Sequence, residues 1–476
     1  MLLYQPEVAE PSVAAREKAC RLLERALGPS KLLMGRDACE RFAADESEAR
    51  GRVPDAVVLA TTPEDIQAAL RVASEAGVPI TPRAGGTGRT GGAVPVAGGI
   101  VLATLGMNSI KEIDRREGLC VVEPGVVLGD LHDAVEREGW FYPPDPNSLV
   151  ACALGGNVAE NAGGPRAFKY GVTREYVLGL EVMQMGGQRI RTGRRTVKGV
   201  TGYDVTALLV GSEGTLAVFS EITLRLVPRP PSVMTLLALF SDVHRAGVAV
   251  GEIVAAGVRP RCIEMLDAAT LEALRQAGNP IDARAGALLL LEVDGEESEC
   301  ERSAQRIADA CEVGPALELL VAQDASQRDR LWAARREMSS AVRRMAKFKL
   351  AEDVVVPRQS IGTLLDRVAQ TAEREGVRTL TYGHAGDGNL HVNFLWDDED
   401  ELPAIDRAIE QLFRDVVALR GTLTGEHGIG VLKAPYLHLE QSAELIELQR
   451  DLKRVFDPQG LLNPGKIFRS GMHRAC

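Results

Sequence analysis

Apolar and polar residues alternate with a period of two between residues 389 and 394. The apolar positions are Leu390, Val392 and Phe394, and the polar positions are Asn389, His391 and Asn393. Such alternation is typical of a half-buried β-strand, because successive side chains point to opposite faces of a sheet. The dipeptide Asp387-Gly388 favours a tight turn before this strand, which predicts a hairpin with the segment Thr379–His384.

The N-terminal part of the chain shows a helical pattern and then an α/β pattern. Residues 12–27 predict an amphipathic helix, and residues 37–52 predict a polar connection. A strand, a helix that opens on Thr-Pro-Glu-Asp and a second strand are then expected over Ala56–Ala60, Pro63–Ala76 and Val78–Pro82.

Residues 99–227 consist mainly of short apolar runs broken by glycine and proline, and end in a predicted strand pair, Thr215–Phe219 and Glu221–Val227. Pro228 to Pro231 form a stiff boundary. Beyond it, strands and helices alternate, which indicates a second α/β domain with an antiparallel or mixed sheet. Its predicted strands are Val233–Phe240, Arg261–Leu266, Ala287–Val293 and Glu352–Val356. Its predicted helices are 242–256, 299–312, 327–346 and 361–375.

Composition excludes several classes of protein. At 476 residues the chain is long enough for two or three domains, and its net charge of −11 argues against a nucleic-acid partner. The eight cysteines are scattered without a Cys-x-x-Cys pair, so we expect reduced thiols and no iron–sulfur cluster. No signal-peptide pattern and no apolar run of membrane-spanning length is present. We therefore expect a cytoplasmic protein, with any membrane contact peripheral, at the inner face.

The loop from Arg83 to Gly92 contains a formal G-x-G-x-x-G pattern at Gly86, Gly88 and Gly91. A dinucleotide-binding fold would need a helix directly after this loop, but the glycines and Pro95 that follow do not favour one. The backbone N–H groups can still form an anion-binding nest. A flexible surface loop is the alternative.

A second segment rich in small residues runs from Leu154 to Gly164 and contains Asn157 and Asn161. Its glycines and alanines permit close approach to a flat ligand, and the two asparagines can bind polar edges of that ligand.

Three of the seven histidines lie in two short glycine-rich motifs, one of which is the predicted hairpin. Closure of the hairpin would bring His384 and His391 together, and Glu426 of the later Gly-Glu-His-Gly motif would supply a carboxylate. Two histidines and one acid with an open position form the ligand set of a catalytic divalent metal. A solvated strand face is the alternative.

Several of these motifs, together with Gly211-Ser-Glu-Gly and Asn463-Pro-Gly-Lys466, resemble the flavoprotein family of vanillyl-alcohol oxidase and p-cresol methylhydroxylase (PCMH). Within that family the chain is most similar to the group of glycolate oxidase flavoprotein subunits, D-lactate dehydrogenases and D-2-hydroxyglutarate dehydrogenases. The resemblance extends from about Pro54 to Phe468.

The resemblance implies an α+β fold, with a two-subdomain FAD-binding domain of the PCMH type and an α/β cap domain with an antiparallel sheet. It predicts four segments: an N-terminal helical segment (1–53), the FAD-binding domain (54–230), the substrate or cap domain (231–420) and a C-terminal segment that completes the flavin and metal site (421–476).

The resemblance also implies which residues bind FAD. The loop around the pyrophosphate would be Arg83, Ala84, Gly85, Gly86, Thr87, Gly88, Arg89, Thr90, Gly91 and Gly92. The path of the ADP and flavin would be formed by Pro144, Asp145, Gly155, Gly156, Asn157, Asn161, Ala162 and Gly163. The adenine side would be supported by Gly211, Glu213, Gly214 and Ile222, and Asn463 with Lys466 would close over the ring. Because Thr87 stands where relatives with covalent flavin often have histidine, we expect non-covalent FAD.

The same resemblance gives roles to the polar residues of the second domain. His384, His391 and Glu426 would bind a divalent metal, Zn²⁺ or Mn²⁺, and His427 would accept the proton. The substrate would be held by Arg335, Lys349 and Asn393. Arg336 is adjacent to Arg335, and either Lys347 or Lys349 is the lysine expected before Asp353, so the register of both cations is open.

The function implied is FAD-dependent oxidation of a D-2-hydroxy acid (glycolate, D-lactate or D-2-hydroxyglutarate) to the 2-oxo acid. Electrons would pass to an external acceptor, such as a quinone, a cytochrome, an electron-transfer flavoprotein or an iron–sulfur partner subunit, and a homo-oligomer is compatible with the sequence. The alternatives are an oxidase of another alcohol, a sugar or an amine, a metal-dependent hydrolase, and a catalytically inactive flavin-binding subunit.

Overall fold

A computed structural model describes residues 6–468. The described chain divides into two compact units. The first comprises residues 6–162, 172–229 and 426–468, and the second comprises residues 163–171 and 230–425. Among the described residues, no helix is both long and apolar enough to cross a membrane.

The strands in chain order are β1 (Leu32–Met34), β2 (Ala56–Leu59), β3 (Ile80–Arg83), β4 (Ile100–Ala103), β5 (Ile110–Asp114), β6 (Leu119–Val122), β7 (Trp140–Phe141), β8 (Val177–Met183), β9 (Arg189–Gly193), β10 (Val218–Arg225), β11 (Val227–Pro228), β12 (Ser232–Phe240), β13 (Cys262–Asp267), β14 (Ala287–Gly295), β15 (Glu318–Val321), β16 (Phe348–Val355), β17 (Arg378–His384) and β18 (Asn389–Trp396).

The α-helices are α1 (Val13–Leu27), α2 (Arg36–Cys39), α3 (Pro63–Ala76), α4 (Leu128–Arg137), α5 (Leu154–Glu160), α6 (Ala167–Tyr170), α7 (Val205–Leu209), α8 (Val243–Ala255), α9 (Ala268–Gln276), α10 (Glu297–Val313), α11 (Ala325–Arg343), α12 (Ile361–Glu375), α13 (Leu402–Ala418), α14 (Leu437–Glu440) and α15 (Ala443–Phe456). Short 3-10 helices lie at Pro29–Lys31, Glu40–Phe42, Thr173–Glu175, Arg358–Ser360, Glu399–Glu401 and Ala434–Tyr436.

The first unit contains a small, mainly parallel sheet in the order β1-β2-β4-β3. Helix α3 begins where the sequence predicts, because Thr62 and Asp65 form a reciprocal capping box and Pro63 occupies the first turn. It ends at Gly77, whose φ of 66° suits glycine. Strand β3 carries the chain directly into the first glycine loop.

A second sheet of the first unit is antiparallel, in the order β5-β6-β10-β8-β9. The predicted strand pair at residues 215–227 is wrong, since β10 is one strand that runs through Ser220. A register shift between Phe219 and Glu221 interrupts its pairing with β8. Such a bulge disturbs the period-two pattern from which two strands were inferred.

The second unit is built on a seven-stranded antiparallel sheet in the order β15-β12-β14-β13-β17-β18-β16. Helices α9 and α11 pack on the face that carries Leu237, Leu266 and Leu380. Every residue of β18 is buried, so the expectation of a half-buried strand is wrong. The alternation itself is confirmed, and it separates an apolar side from a polar side that is equally closed to solvent.

Candidate active site

The two histidines of the hairpin lie on one face of the second unit's sheet. Strands β17 and β18 pair antiparallel, with His384 opposite Asn389 and Tyr382 opposite His391. The hairpin turn between them, which includes Gly388 with a φ of 84°, is confirmed. The imidazole centroids of His384 and His391 are 5.4 Å apart and the rings are nearly perpendicular. Both side chains are buried, which argues against a solvated strand face.

A buried carboxylate, Glu264, orients His384. It lies opposite His384 in the neighbouring strand β13, and its Oε1 is 2.5 Å from His384 Nδ1. Its Oε2 accepts a hydrogen bond from Arg335 Nε at 2.7 Å. Burial alone would raise the pKa of the Glu264 carboxyl, but His384 and Arg335 outweigh it and lower that pKa to about 2. With Nδ1 bound to Glu264, His384 would present Nε2 to a metal.

Asp353 organises the other side of the hairpin. It lies opposite His391 in strand β16, and its carboxylate accepts from Asn389 Nδ2 at 2.5 Å. Its Oδ2 also accepts from Thr424 Oγ1 at 2.9 Å and from the Gly425 N–H at 2.8 Å. Thr424 and Gly425, which directly precede Glu426, are thereby fixed beside β16 within the second unit.

The two residues of the Gly-Glu-His-Gly motif that carry chemistry belong to the first unit. His427 Nε2 is 3.8 Å from Glu426 Oε1, and the His427 carbonyl accepts from Thr90 Oγ1 at 2.9 Å. Gly428, with a φ of 76°, leaves room for Glu160 and Glu213, since a Cβ there would lie 2.3 Å from Glu160 Oε2. A side chain at Gly428 would therefore collide with two buried carboxyl groups.

The predicted substrate residues are all placed on the polar face of the second unit's sheet or on α11 above it. Arg335 is buried, and the side chain of Arg336 is not among those described. Lys349 is half-buried and lies on the face of β16 that also carries Asp353, whereas Lys347 is exposed. Asn393 is fully buried, and its Nδ2 donates to the carbonyls of His391 and Leu380. Lys349 therefore fits the predicted role better than Lys347.

The backbone N–H groups of the first glycine loop are compatible with the predicted anion nest. Among the described residues, no backbone N–H from Gly85 to Arg89 donates a hydrogen bond to a protein acceptor. A Cβ at Gly85 would lie 2.6 Å from the carbonyl oxygen of Ala151, so this loop tolerates no side chain there. Successive unpaired N–H groups suit an anionic ligand.

The two arginines of this loop bind residues outside the loop. Arg83 Nη1 donates to the Ala44 carbonyl at 2.6 Å, and Arg89 forms an ion pair with Glu46 at 2.8 Å. Both arginines thus have their hydrogen-bond and ion-pair partners in the segment 44–46. As the sequence predicts, no helix follows this loop before α4.

The second glycine-rich segment forms α5 and its C-terminal turn. Gly155 packs against Pro124, where a Cβ would lie 2.8 Å from the proline Cβ. Asn161 ends the helix with a φ of 56°, and its Oδ1 accepts from the Arg174 N–H at 2.8 Å. Gly156 and Asn157 lie within α5 and Ala162 follows Asn161, whereas Gly163 is the first residue of a segment that belongs to the second unit. Pro144 contributes its carbonyl to His132 Nε2 at 3.0 Å, and Asp145 follows it, half-buried.

Glu213 joins three predicted FAD-binding segments. Its carboxylate accepts from the N–H groups of Ile429 and Gly430, and its carbonyl accepts from Asn463 Nδ2 at 2.8 Å. Asn463 Nδ2 also donates to the carbonyl of Gly92 at 3.0 Å. The predicted supports Gly211 and Gly214 flank Glu213 with φ values of 79° and 65°, and Ile222 is buried in β10.

Lys466 is enclosed in the same region, with Nζ donating to the Val94 carbonyl at 2.7 Å. Burial lowers the pKa of Lys466 to about 7, even though Asp45 and Glu213 favour its charged form. Burial likewise raises the pKa of Glu213 above its ordinary value, against the hydrogen bonds from Ile429 and Gly430. This acid and this base are thus both displaced toward neutrality.

The first unit fits a flat cofactor that carries phosphates. Besides the nest of N–H groups, the buried atoms Ser212 Oγ and Asn463 Oδ1 have no hydrogen-bond partner among the described residues. Buried polar atoms are normally paired, so two such atoms beside close-packed glycines indicate a polar ligand. FAD supplies both the pyrophosphate and the polar ring edges that this arrangement calls for.

Four residues with marked contacts were missed by the sequence analysis: Glu264, Asp353, Tyr382 and Glu160. Glu264 had a visible signal, because it is a single charge inside the apolar run Cys262 to Leu266. A charge at such a position requires a buried partner. Tyr382 gave no such signal, since tyrosine is common in strands.

Comparison with known proteins defines the class. Residues 54–193 match the model of an FAD binding domain, and residues 229–467 match the model of the C-terminal domain of FAD linked oxidases. The chain belongs to this family of FAD-linked oxidases.

Its relatives include the glycolate oxidase subunit GlcD of Bacillus subtilis, which is 41% identical over 90% of this chain and 92% of the relative. A D-lactate dehydrogenase of Archaeoglobus fulgidus is 37% identical over 87% and 91% of the two chains. A D-2-hydroxyglutarate dehydrogenase of Xanthomonas citri pv. viticola is 32% identical over 97% and 98%.

The fold is also that of solved PCMH-type oxidases. The chain matches p-cresol methylhydroxylase with a TM-score of 0.79 at 16% identity, over 98% of this chain and 99% of the other. It matches 4-ethylphenol oxidase from Gulosibacter chungangensis with the same score at 18% identity and the same coverage. The predicted family and fold class are confirmed, and the protein is an FAD-linked oxidoreductase that acts on CH–OH groups.

Proposed function

We propose that this chain oxidises a D-2-hydroxy acid to the corresponding 2-oxo acid. The main support is the set of cations and imidazoles on the polar sheet face and on α11 above it. Arg335 and His384 both bind Glu264, and Lys349, His391 and Asn393 lie on the same face of the sheet. The relatives are named for glycolate, D-lactate and D-2-hydroxyglutarate, which share a carboxylate next to a hydroxyl-bearing carbon. The roles proposed below for the site residues follow from that shared chemistry.

Arg335 binds the substrate carboxylate. A guanidinium offers two parallel N–H donors to a carboxylate, and Glu264 fixes the direction in which this one points. Lys349 adds a second positive charge, and Asn393 supplies a neutral polar contact. These three residues hold the acid so that its C–H, hydroxyl and carboxylate occupy fixed positions.

His427 accepts the hydroxyl proton as the C–H bond breaks. Its carbonyl is bound to Thr90 Oγ1, which restrains the backbone that carries the imidazole. General-base assistance of this kind contributes roughly 10²–10⁴-fold. A bound FAD would supply the acceptor for the hydride that leaves the C–H bond.

His384, His391 and Glu426 are proposed to hold one divalent cation, Zn²⁺ or Mn²⁺. The imidazoles are close and buried, His384 is oriented by a carboxylate, and Gly425 is anchored to Asp353 directly before Glu426. Orientation of a ligating imidazole by a carboxylate is the usual arrangement around such metals. A bound cation would supply a Lewis acid for the hydroxyl oxygen of the substrate.

FAD is proposed to be non-covalent, because Thr87 stands in the first glycine loop. No cysteine motif of the chain encodes a second redox centre. Electrons are therefore proposed to leave for a separate acceptor, a quinone, a cytochrome, an electron-transfer flavoprotein or an iron–sulfur partner subunit.

One set of spectra tests the proposal. The purified protein should be yellow, and acid precipitation should release the colour into the supernatant as FAD. Under anaerobic conditions glycolate, D-lactate or D-2-hydroxyglutarate should bleach it, and L-lactate and L-2-hydroxyglutarate should act far more slowly than their D-enantiomers. Bleaching by an amine or a sugar alone would overturn the substrate class, and a colourless protein that hydrolyses a nucleotide would overturn the chemistry.

A further inference from the structure

Tyr382 is a buried residue of β17 that lies directly opposite His391 in the sheet register. Its side chain belongs to the polar face of the second unit, and only 7% of the residue is exposed. Of the five metal- and substrate-binding residues predicted in this unit, four contact it: Arg335, Lys349, His391 and Asn393.

The hydroxyl of Tyr382 links a cation to an amide. It accepts a hydrogen bond from Lys349 Nζ at 3.2 Å and donates one to Asn393 Oδ1 at 3.3 Å. Asn393 is itself fixed, because its Nδ2 donates to two backbone carbonyls. The direction of the hydroxyl proton is thereby set, and its oxygen is left to accept from the ammonium group.

The ring of Tyr382 holds the second cation. The Arg335 guanidinium carbon is 5.6 Å from the ring centroid, within the range of a cation–π contact. Arg335 Nε is bound to Glu264 from the other side. Lys349 is nearer to the hydroxyl than to the centroid, which is 5.6 Å from its Nζ, so the two cations use different parts of the same side chain.

Two like charges close to one buried position repel each other, and long side chains lose rotamer freedom when they are held in place. A tyrosine offsets both the repulsion between the cations and the loss of rotamer freedom, because its ring face and its phenol oxygen each carry negative partial charge and bind one cation. We infer that Tyr382 is a positioning residue that holds Arg335 and Lys349 as a preorganised pair of carboxylate-binding cations. This inference rests on the proposed function and adds to it the residue that sets the affinity for the acid.

A purely structural role would have a different signature. Tyr382 also packs among Leu380, Leu395 and other core residues, and loss of packing alone lowers stability without a selective effect on ligand affinity. A positioning role predicts weaker binding of the acid and a raised KM, with little change in kcat, because the ground state and the transition state lose the same carboxylate contact.

The experiment compares two substitutions in the FAD-loaded protein. Tyr382→Phe keeps the ring and removes the hydroxyl, and Tyr382→Leu removes both. Calorimetric titration with glyoxylate, pyruvate and 2-oxoglutarate, the product acids, should show about tenfold weaker binding for Phe and about a hundredfold for Leu. Tyr176→Phe is the matched control, because Tyr176 is also buried beneath an arginine, Arg225, but lies in the first unit. It should bind as the wild type does.

A double-mutant cycle separates the hydroxyl's action through Lys349 from a direct effect. Tyr382→Phe should cost little further affinity in a Lys349→Met background. In the otherwise wild-type protein, kcat of Tyr382→Phe at saturation should stay within about threefold. Wild-type affinity in both tyrosine variants, or fully additive losses in the cycle, would overturn the inference.

The proposed function can fail separately. A wild-type protein that binds 2-oxo acids, but is reduced by no 2-hydroxy acid, would sink the proposed reaction and leave the affinity comparison to decide the role of Tyr382. A wild-type protein that oxidises 2-hydroxy acids but binds the products too weakly to measure moves the comparison to KM, with the same fold-changes expected. A protein that neither binds nor oxidises these acids removes both.

Discussion

Glu264 and His384 lie 120 residues apart in the chain, and a hydrogen bond of 2.5 Å joins the carboxylate of one to Nδ1 of the other. The second oxygen of Glu264 binds Arg335 Nε. One buried carboxylate therefore orients a predicted metal ligand and a predicted substrate clamp. Metal and substrate binding should depend on it together, although it is proposed to touch neither.

Glu264→Gln should weaken metal binding about 10–100-fold, the effect expected when the carboxylate that orients a ligating histidine is lost. A neutral amide cannot accept equally from both His384 and Arg335. Zn²⁺ or Mn²⁺ affinity, measured in competition with a chelator, checks this, and FAD content should not change. Glu292→Gln is the control, because Glu292 is a buried carboxylate of the adjacent strand that binds Thr235 and Trp332 instead. Equal metal affinity in Glu264→Gln and the wild type would show that the imidazole needs no such partner.

Two glycines of the first loop should differ in their tolerance of a methyl group. A Cβ at Gly85 would meet backbone atoms of Ala151 and Cys152 at 2.6 and 3.1 Å, whereas a Cβ at Gly88 would meet only the Asp45 side chain at 3.4 Å. Gly85→Ala must shift the loop and misplace its N–H donors, so FAD should dissociate at least about tenfold more readily. Gly88→Ala should bind FAD nearly as the wild type does. Fluorescence titration of the apoprotein with FAD measures both, and equal affinities would contradict a rigid nest.

The hairpin was predictable from local sequence, because alternation and an Asp-Gly turn act over about ten residues. The partners of its histidines were not, since Glu264 and Asp353 reach them through sheet order, and nothing in a single sequence states which strands are neighbours. The same limit applies to Arg83 and Arg89, which the sequence places in the predicted pyrophosphate loop. Their ion pair and hydrogen bond with the segment 44–46 depend on how that irregular connection folds back.

Burial was the other quantity that sequence pattern misjudged. A strand with polar residues on one side normally faces solvent on that side. In β18 the polar side is covered, because buried partners satisfy Asn389 and Asn393. The departure from the general rule occurs where the candidate chemistry lies, as expected when a functional site replaces ordinary packing.

Asp267 should make stability depend on pH. It caps α9 and accepts from the N–H groups of Thr270 and Thr381, yet burial outweighs these bonds and raises its pKa from 3.8 to about 6. Between these values the folded protein keeps a proton that the unfolded chain has lost, so stability should fall as pH rises from 4 to 7. Each pKa unit corresponds to about 1.4 kcal/mol, so the full effect is about 3 kcal/mol.

Urea unfolding of the wild type and of Asp267→Asn at pH 4 and pH 7 isolates this contribution. The variant removes the titrating group, so the stability advantage of the wild type over it should be larger at pH 4. An advantage that is equal at both pH values would show that folding does not raise the pKa of Asp267.

Arg335 and His427 should fail in different ways when they are replaced. Arg335→Lys keeps a positive charge that can still pair with Glu264, but a single ammonium cannot reproduce the two parallel bonds of a guanidinium. KM for the 2-hydroxy acid should rise sharply.

His427→Ala should leave KM nearly unchanged and slow flavin reduction by at least about a hundredfold, the low end expected for loss of a general base. Anaerobic stopped-flow reduction over a range of acid concentrations separates binding from the rate at saturation. His438→Ala is the control, because that exposed histidine lies outside the predicted site and its Nδ1 is 2.9 Å from the Pro435 carbonyl oxygen. If His427→Ala reduced its flavin at the wild-type rate, the proton would have to leave by another group, and the role given to the Gly-Glu-His-Gly motif would be wrong.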